Sequence, residues 1–469
     1  MTGPTLSPNA FERGRALHRE GKLIEAAACY REALSQQPDD HRALHWLGVL
    51  AQQTGDTRAA ESLLRSAIEF AGQEPDYRVG LGLLLQTTGR PREAIDAFRA
   101  ALKADPGNFQ ALFRLGLLLH RRGEPAQALQ YYAAAQKVSG DDGSLLVNMG
   151  ALLHQLGRNS ESVALCRRAV ELKPDLPAAH GNLGNALAAL GCHDEAIGAF
   201  QRSLTLQPHQ PAMYANLGNC LFAGGQLESA LHAYENCLRR SPGDVTSLAM
   251  VAAIYTKKDR RDLAGQLLDF DALLRIAPVS PPQSQTLAEY LASLHEYLLA
   301  HPSLRAGQET GGLLPAQHPT IAHLVSAIRG QVRDYIATRP DTWQPVPGLG
   351  SLWQPPEAWR LDMWAAPLHL EAGQQAQIRP SGWLSGLFFV DCSLPAKNSS
   401  QLGWIEFGQS ADDLCSQSQT PVHRYQPKAG ELVLFPSYFY YQSLPLRDDK
   451  RGVSICFDIV PRRDPQSPG

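Results

Sequence analysis

The feature that most constrains the fold is a glycine that recurs every 34 residues through the first 244 positions. The first glycine series is Gly14, Gly48, Gly82, Gly116, Gly150, Gly184 and Gly218. A second series follows seven residues behind it: Gly21, Gly55, Gly89, Gly123, Gly157, Gly191 and Gly225. A fixed period of this length is typical of stacked repeats, in which each unit buries its apolar face only against its neighbours. The sequence therefore predicts a solenoid over this part of the chain.

Each repeat has the pattern of a helical hairpin. The second glycine suits the left-handed turn that ends the first helix, here called helix A. A small residue five positions later, such as Ala26 or Ala196, lets the second helix, helix B, pack closely on helix A. In most units a proline such as Pro106 or Pro174 then ends helix B. This pattern resembles the tetratricopeptide repeat, which implies an all-α solenoid.

The glycines place the repeats at 7–40, 41–74, 75–108, 109–142, 143–176, 177–210 and 211–244. An eighth unit at 245–278 keeps Ala264, but it has Ala252 and Asp259 where the two glycines should be. It is therefore predicted to be a degenerate unit that caps the array. The predicted solenoid domain of about eight hairpins covers residues 1–278.

The pattern changes after Pro278. A linker, "VSPPQSQ", leads to predicted helices at 285–300 and 318–338, and the segment 279–342 is assigned to the C-terminal domain. Within 343–469, five strands are predicted, in "RLDMWAAPLHL", "GWLSGLFFVD", "LGWIEFG", "GELVLFPSYFYY" and "VSICFDIV". Short strands at this density favour a double-sheet jelly roll or barrel. The fold class is thus multidomain α + β, a helical solenoid followed by a jelly roll with flanking helices.

Composition narrows the classes of partner. A formal net charge of −3 gives no electrostatic footprint for nucleic acid or for an anionic membrane surface. No apolar run approaches the length of a membrane-spanning helix, and no secretory signal is visible. The eight cysteines are scattered without a C-x-x-C pair, which is typical of buried thiols in a reducing compartment. We therefore expect a cytoplasmic protein with neither nucleic-acid nor membrane partners.

A row of asparagines is the candidate binding feature of the repeats. Asn148, Asn182 and Asn216 occupy one helix A position in three successive repeats, and Asn185 and Asn219 follow three residues after two of them. Carboxamides on the inner helix face offer donors and acceptors to an extended peptide backbone without demanding a sequence. The row resembles the asparagine ladder in the repeats of protein O-GlcNAc transferases. It implies a protein or peptide partner, while the alternative is a solvated polar face.

The C-terminal fragments "RPSGWLSGLFFVDCSLP", "LGWIEFG", "PKAGELVLFPSYFYYQSLPL" and "VSICFDIVP" occur in this order. Together they resemble the 2-oxoglutarate-Fe(II) oxygenase domains that follow tetratricopeptide repeats in some bacterial proteins. The resemblance covers roughly 280–462 and implies a double-stranded β-helix, which is a jelly roll. It also implies an iron site of the 2-His-1-carboxylate type and an arginine that holds 2-oxoglutarate.

The residues that should carry this chemistry are replaced. The family's histidine-rich stretch before the G-W strand falls on Gln374, Gln377 and Arg379. The histidine of its second ligand segment falls on Tyr441, and Arg451 lies one residue away from the expected arginine position. A fixed positive charge repels a cation, and neutral amide and phenol oxygens are weak ligands for iron. The sequence therefore favours a catalytically inactive oxygenase fold with no iron or 2-oxoglutarate bound.

Two other interpretations stay open. In the first, the domain is a working dioxygenase with Fe(II) and 2-oxoglutarate, and it hydroxylates a protein that the repeats hold. Its metal site would have to be rebuilt, and the available side chains are His369, Asp391, Glu406 and His423. In the second, the jelly roll binds a small carboxylate or a sugar without metal and uses Arg379 as the anchor. The favoured interpretation is an interaction protein, with a repeat domain that captures a peptide or protein segment.

Overall fold

The computed structural model describes residues 9–305, 309–310, 318–338, 355–368, 376–392, 403–408, 421–444 and 452–462. The chain divides into two compact units, Met1–Leu206 and Gln207–Gly469. The predicted helical solenoid in the N-terminal part and the predicted β-sheet region in the C-terminal part are both confirmed.

The first unit consists of paired antiparallel helices. They are α1 (Ala10–Arg19), α2 (Leu23–Gln36), α3 (His41–Gln53), α4 (Thr57–Phe70), α5 (Pro75–Thr87), α6 (Pro91–Ala104), α7 (Phe109–Arg121), α8 (Pro125–Ser139), α9 (Gly143–Gln155), α10 (Asn159–Leu172), α11 (Pro177–Ala189) and α12 (His193–Leu206). Odd-numbered members are the A helices and even-numbered members are the B helices. Several successive A helices contact each other, namely α1 with α3, α3 with α5, α7 with α9 and α9 with α11. The A helices therefore form the inner layer of the array.

The two glycine series have the two roles that the sequence assigns to them. Gly191 has φ of +76°, so it makes the left-handed turn between α11 and α12. Gly184 lies inside α11, where a Cβ atom would stand only 2.6 Å from the ring of Phe200 on α12. The first series therefore permits close approach of the two helices, and the second series permits the turn between them.

The second unit begins with helices and continues into the β region. Its helices are α13 (Pro211–Ala223), α14 (Leu227–Arg240), α15 (Val245–Lys257), α16 (Arg261–Leu267), α17 (Phe270–Leu273), α18 (Leu287–Leu299), α19 (Pro302–Arg305) and α20 (Pro319–Ala337). Its strands are β1 (Arg275–Pro278), β2 (Trp359–Leu368), β3 (Leu384–Asp391), β4 (Ile405–Phe407), β5 (His423–Tyr425), β6 (Glu431–Pro436), β7 (Tyr441–Ser443) and β8 (Gly452–Pro461). Helices α18 and α20 fall on the two helices that the sequence predicts after the linker.

The segment 245–278 departs from the repeat pattern near its end. Asp259 takes the place of the turn glycine and adopts φ of +54°, so the turn is kept without a glycine. The B helix α16 ends early, at Leu267, and the short helix α17 follows it. The last four residues, predicted as repeat, are strand β1 instead, which pairs antiparallel with β6. Periodicity does not reveal this change, because the partner strand lies more than 150 residues further along the chain.

The strands form two antiparallel sheets. The five-stranded sheet has the order β1-β6-β3-β8-β2, and the three-stranded sheet has the order β5-β4-β7. Strands β1 and β5 are absent from the sequence prediction, and the predicted strand "GELVLFPSYFYY" is two strands, β6 and β7, separated by a turn. One face of the five-stranded sheet packs against α18 and α20, where Phe388 and Ile455 share a core with Leu294 and Ile328.

The last repeat helices of the second unit are joined to the β region by specific contacts. The buried Tyr438 hydroxyl donates to the Leu267 carbonyl at 2.8 Å. The Phe270 and Phe439 rings meet edge to face, with their centroids 5.2 Å apart. Together with the β1–β6 pairing, these contacts fix the end of the helical segment against the sheet within this unit. Among the helices that the structure describes, none is long and apolar enough to cross a membrane.

Candidate functional site

The second face of the five-stranded sheet carries the candidate site. Cys456 on β8 lies directly opposite Trp364 on β2 and Leu387 on β3, so these three side chains share one face. Alternation places Ser454 and Asp458 on that face as well. This is the face opposite the helix-packed core, because Ile455 and Phe457 between them belong to that core.

Arg379, Gln377 and Tyr441 come together above this face. Gln377 and Tyr441 pair as an antiparallel bridge, in which each backbone N–H donates to the carbonyl of the other residue at 3.0 Å. The Arg379 Nε donates to the Tyr441 hydroxyl oxygen at 2.8 Å, and the Gln377 Nε2 donates to the same oxygen at 3.4 Å. Three of the positions singled out by the sequence are therefore neighbours in space.

The guanidinium of Arg379 is half-buried and stacks on an aromatic ring. Its Cζ atom lies 4.6 Å from the centroid of Trp364, which is a cation–π distance. Burial works against its charge, but Tyr441, Cys456 and Asp458 outweigh that effect, so the pKa of Arg379 lies above its ordinary value. Arg379 is therefore a permanent cation at this site.

Tyr441 and Cys456 stay protonated beside this cation. Burial raises the pKa of the Tyr441 phenol above its ordinary range, although Arg379 opposes that rise. Burial likewise raises the pKa of the Cys456 thiol to about 12, again against the effect of Arg379. Neither residue supplies a negative charge near neutral pH. Of these three side chains Arg379 alone is charged, while the carboxyl groups of Asp458 and Glu309 lie in its surroundings.

A buried carboxyl group lies next to the turn that carries Arg379. Asp458 is 5% exposed and accepts a hydrogen bond from the Ser385 hydroxyl at 2.7 Å. Ser385 also contacts the Ser437 hydroxyl at 2.9 Å, and the Ser437 carbonyl accepts from the Arg379 backbone N–H at 3.0 Å. Burial raises the pKa of Asp458 to about 6, while the Ser385 hydrogen bond and the Arg379 charge oppose the rise. No described ion pair joins Asp458 to Arg379 within 4.0 Å.

A small cavity of about 40 Å³ adjoins these groups. Its polar lining residues are Glu309, Gln377, Arg379, Tyr441, Gln442, Ser443, Ser454 and Cys456. A water molecule needs roughly 10–15 Å³ by this measure, so the cavity has room for about three non-hydrogen atoms. This space is far below the roughly 300 Å³ of an ordinary ligand pocket.

The described residues of the site do not suit an iron ion. They present a guanidinium, a carboxamide and a neutral phenol, and the guanidinium repels a divalent cation. No group of three or more His, Cys, Asp or Glu side chains arranged to hold a metal occurs in the described segments. Gln374, Arg451 and His369 lie outside the described residues.

The other fallback ligands are not gathered into one site in the structure. Asp391 ends β3, with its carboxylate 3.9 Å from the His295 imidazole. Glu406 is buried on β4, where it accepts hydrogen bonds from Arg424 at 2.7 Å and from Gln442. His423 lies on the neighbouring strand β5.

Three of the candidate asparagines make hydrogen bonds to residues of the repeats. Asn148 donates to the Ser144 carbonyl of its own helix at 2.8 Å. Asn182 donates to the Val147 carbonyl of the preceding A helix at 3.2 Å, so it links two repeats. Asn219 accepts a hydrogen bond from the buried Tyr234 hydroxyl at 2.7 Å. Asn185 and Asn216 also have interaction partners. The row therefore has structural contacts in addition to any role in binding.

A larger groove of about 490 Å³ lies between α4, α5 and α6 in the first unit. Its apolar floor includes Leu81 and Leu85, while Arg65, Glu93 and Asp96 are among the charged residues that line it. On α5, Leu81 and Leu85 lie on a different helical face from the residue at the repeat position equivalent to Asn148. The groove is therefore separate from the row of asparagines. The sequence did not single it out, because charges of both signs on a helix surface are ordinary in such repeats.

Several residues of the C-terminal site also escaped the sequence interpretation. The sequence interpretation includes Trp364, Ser385, Cys456 and Asp458 only as strand residues, although strict alternation in "VSICFDIV" puts Ser454, Cys456 and Asp458 on one face. That alternation is the signal that could have found them. The pairing with Trp364 could not have been found, because it depends on which strands become neighbours.

The fold and the site define a class of protein, a tetratricopeptide solenoid followed by an oxygenase-like β domain, and comparisons with known families agree. Tetratricopeptide repeat profiles match residues 17–82, 79–144, 150–191 and 175–243. Residues 362–458 match the family described as "Putative 2OG-Fe(II) oxygenase". The chain therefore contains tetratricopeptide repeats and a C-terminal domain of that oxygenase-like type.

Individual proteins resemble part of this chain. Tetratricopeptide repeat protein 7A of Homo sapiens is 38% identical over 66 residues, which are 14% of this chain and 8% of that protein. Among solved structures, YrrB has a TM-score of 0.36 at 22% identity and covers 39% of this chain and 95% of its own. PilF of Pseudomonas aeruginosa has a TM-score of 0.38 at 23% identity and covers 43% of this chain and 91% of its own.

Proposed function

We propose that the protein is a scaffold that binds a peptide or protein segment and that its oxygenase-like domain does not catalyse iron-dependent oxidation. The proposed lack of iron chemistry rests on the contact between Arg379 and Tyr441. At the positions where the resemblance places metal ligands, a permanent cation donates to a neutral phenol at 2.8 Å. A metal ion there would have to displace this hydrogen bond and approach a positive charge.

The β region supports the same interpretation at the level of fold. We propose that its two antiparallel sheets are the halves of a double-stranded β-helix. The bridge between Gln377 and Tyr441 adds a short extended segment beside β7, so the site residues lie at the margin of the smaller sheet. An experimental structure of the full chain would test this assignment, and a third sheet or a parallel pairing of β4 with β7 would contradict it.

The inner layer of A helices is the proposed surface for the partner. The side-chain amides of Asn148 and Asn182 each donate a hydrogen bond to a backbone carbonyl, which holds each carboxamide in one orientation. A fixed carboxamide oxygen can accept from the backbone N–H of an extended peptide without discriminating side chains. The predicted domain boundaries, 1–278 for the solenoid and 343–469 for the jelly roll, belong to the same proposal.

A peptide array probed with the purified full chain tests the binding proposal. Asn148→Ala and Asn216→Ala are expected to weaken capture of the peptides that the unaltered protein retains. Asn236→Ala on α14 is the matched control, because Asn236 also donates to the carbonyl four residues before it, at 2.9 Å, but lies on a B helix. Equal capture by all three variants and the unaltered protein would remove the asparagine row from the proposal.

We also propose a cytoplasmic location, with neither nucleic acid nor membrane as a partner. No disulfide joins any of the seven cysteines that the structure describes, in keeping with a reducing compartment. Fractionation of cells that produce the tagged chain tests this proposal, and recovery from the extracellular or membrane fraction would contradict it.

A further inference from the structure

We propose that the cavity beside Arg379 binds the carboxylate group of a small organic acid. The inference rests on the proposed loss of iron binding at the same positions. The site would then bind an anion where the family binds a metal cation. Three observations support this inference: the hydrogen bonds, the charges and the size of the cavity.

Some hydrogen-bond donors of Arg379 and Tyr441 have no acceptor among the described residues. The Tyr441 oxygen already receives hydrogen bonds from Arg379 and Gln377, so its own O–H must point elsewhere. Within the described residues, no acceptor is found for that proton or for the two terminal nitrogens of Arg379. Arg379 and Tyr441 both line the cavity, so an anion with several lone pairs placed there would accept from the guanidinium and from the Tyr441 O–H.

The charges point the same way. Arg379 forms no ion pair with any carboxylate that the structure describes, whereas Arg424 in the same domain is paired with Glu406 at 2.7 Å. Asp458 faces Arg379 only at longer range. Glu309 is exposed and lines the cavity without pairing to Arg379. A partly buried guanidinium therefore lacks a direct counter-ion, and a planar carboxylate matches its two-pronged geometry.

The size of the cavity selects the class of anion. Space for about three non-hydrogen atoms accommodates a carboxylate group, but not a sugar ring or a whole dicarboxylate. The walls beyond the donors include Leu387 and Ile405, which suit a short apolar substituent rather than a second charged group. Formate and acetate are therefore the appropriate probes.

Saturation-transfer NMR on acetate with the full-length protein tests the inference. Saturable binding in the millimolar range is expected, with competition by formate and no comparable competition by chloride at equal ionic strength. Arg379→Gln is expected to weaken binding about tenfold or more, since a hydrogen bond to a charged group is worth at least that factor. Arg360→Gln is the matched control, because Arg360 lies on β2 in the same domain, is exposed and pairs with Asp362 at 3.0 Å.

Tyr441→Phe provides a second variant, in case Arg379→Gln does not fold; it keeps the ring and removes the hydroxyl, which is both the O–H donor and the acceptor for Arg379 and Gln377. It is expected to weaken acetate binding several-fold. A non-saturable signal, or equal binding by Tyr441→Phe and the unaltered protein, overturns the inference. Iron binding with turnover would instead overturn the proposed function, whereas failure to bind both iron and acetate would overturn the anion site alone.

Discussion

Two of the glycines in repeat 177–210 allow a sharp test of how the solenoid packs. Gly184 and Gly198 both lie inside helices, so replacement by alanine gives the same gain in helix propensity, about 1 kcal/mol, at either position. Their surroundings differ completely. A Cβ at Gly184 would lie 2.6 Å from Phe200 Cε1, whereas a Cβ at Gly198 would have nothing within 4 Å.

The structure sets the sign and size of each effect. Ordinary carbon contacts are about 3.5–4.0 Å, so Gly184→Ala requires a movement of roughly 1 Å by the Phe200 ring or by helix α11. Phe200 is fully buried, and overpacking of this kind costs up to about 3 kcal/mol. After the propensity gain, Gly184→Ala should destabilise the repeat by about 2 kcal/mol. Gly198→Ala should stabilise it by about 1 kcal/mol.

Hydrogen exchange read by mass spectrometry is the suitable assay, because repeat arrays unfold locally and a single melting temperature averages over repeats. In the full chain, peptides from α11 and α12 should exchange about thirtyfold faster in Gly184→Ala and about fivefold slower in Gly198→Ala. Exchange in Gly184→Ala at or below the rate of the unaltered protein would refute the assigned role of the glycine series.

Two further predictions concern the β region. The pKa of Asp458 is raised from 3.8 to about 6, so the folded state holds this proton more tightly than the unfolded state. The free energy of unfolding should therefore fall by up to about 3 kcal/mol as the pH rises from about 4 to above 6. Asp458→Asn should remove this component, as urea unfolding at pH 4.5 and 7.5 would measure, and an unchanged pH dependence would contradict the assignment. Tyr438→Phe should destabilise the second unit by about 1–3 kcal/mol in urea unfolding, because the Leu267 carbonyl loses its donor, and an unchanged midpoint would contradict this role.

The sequence predicted those parts of the fold that local rules determine. Helix pairs followed from glycine spacing, because the left-handed turn at Gly191 and the close approach at Gly184 are each set within one repeat. Each of the five predicted strand segments contains a strand in the structure, because side-chain alternation is also a local pattern. Strand β1 was missed because its partner β6 lies far along the chain. Helical periodicity contains no information about such a pairing.

The candidate site shows the same division between local and long-range information. Gln377, Arg379 and Tyr441 were singled out by family resemblance, and the structure places them in contact. The stacking of Arg379 on Trp364 depends on which strands are neighbours, so no sequence pattern could show it. The absence of a direct counter-ion for Arg379 among the described residues is likewise a property of the packed state, and the anion site follows from that observation.

The central claim is that the C-terminal domain keeps an oxygenase-like frame without iron chemistry. The most direct measurement is anaerobic loading of the purified full chain with Fe(II), followed by determination of bound iron and of succinate formed from 2-oxoglutarate in air. The account predicts far less than one iron per chain and no succinate above a protein-free control. One iron per chain together with sustained conversion of 2-oxoglutarate to succinate would contradict it.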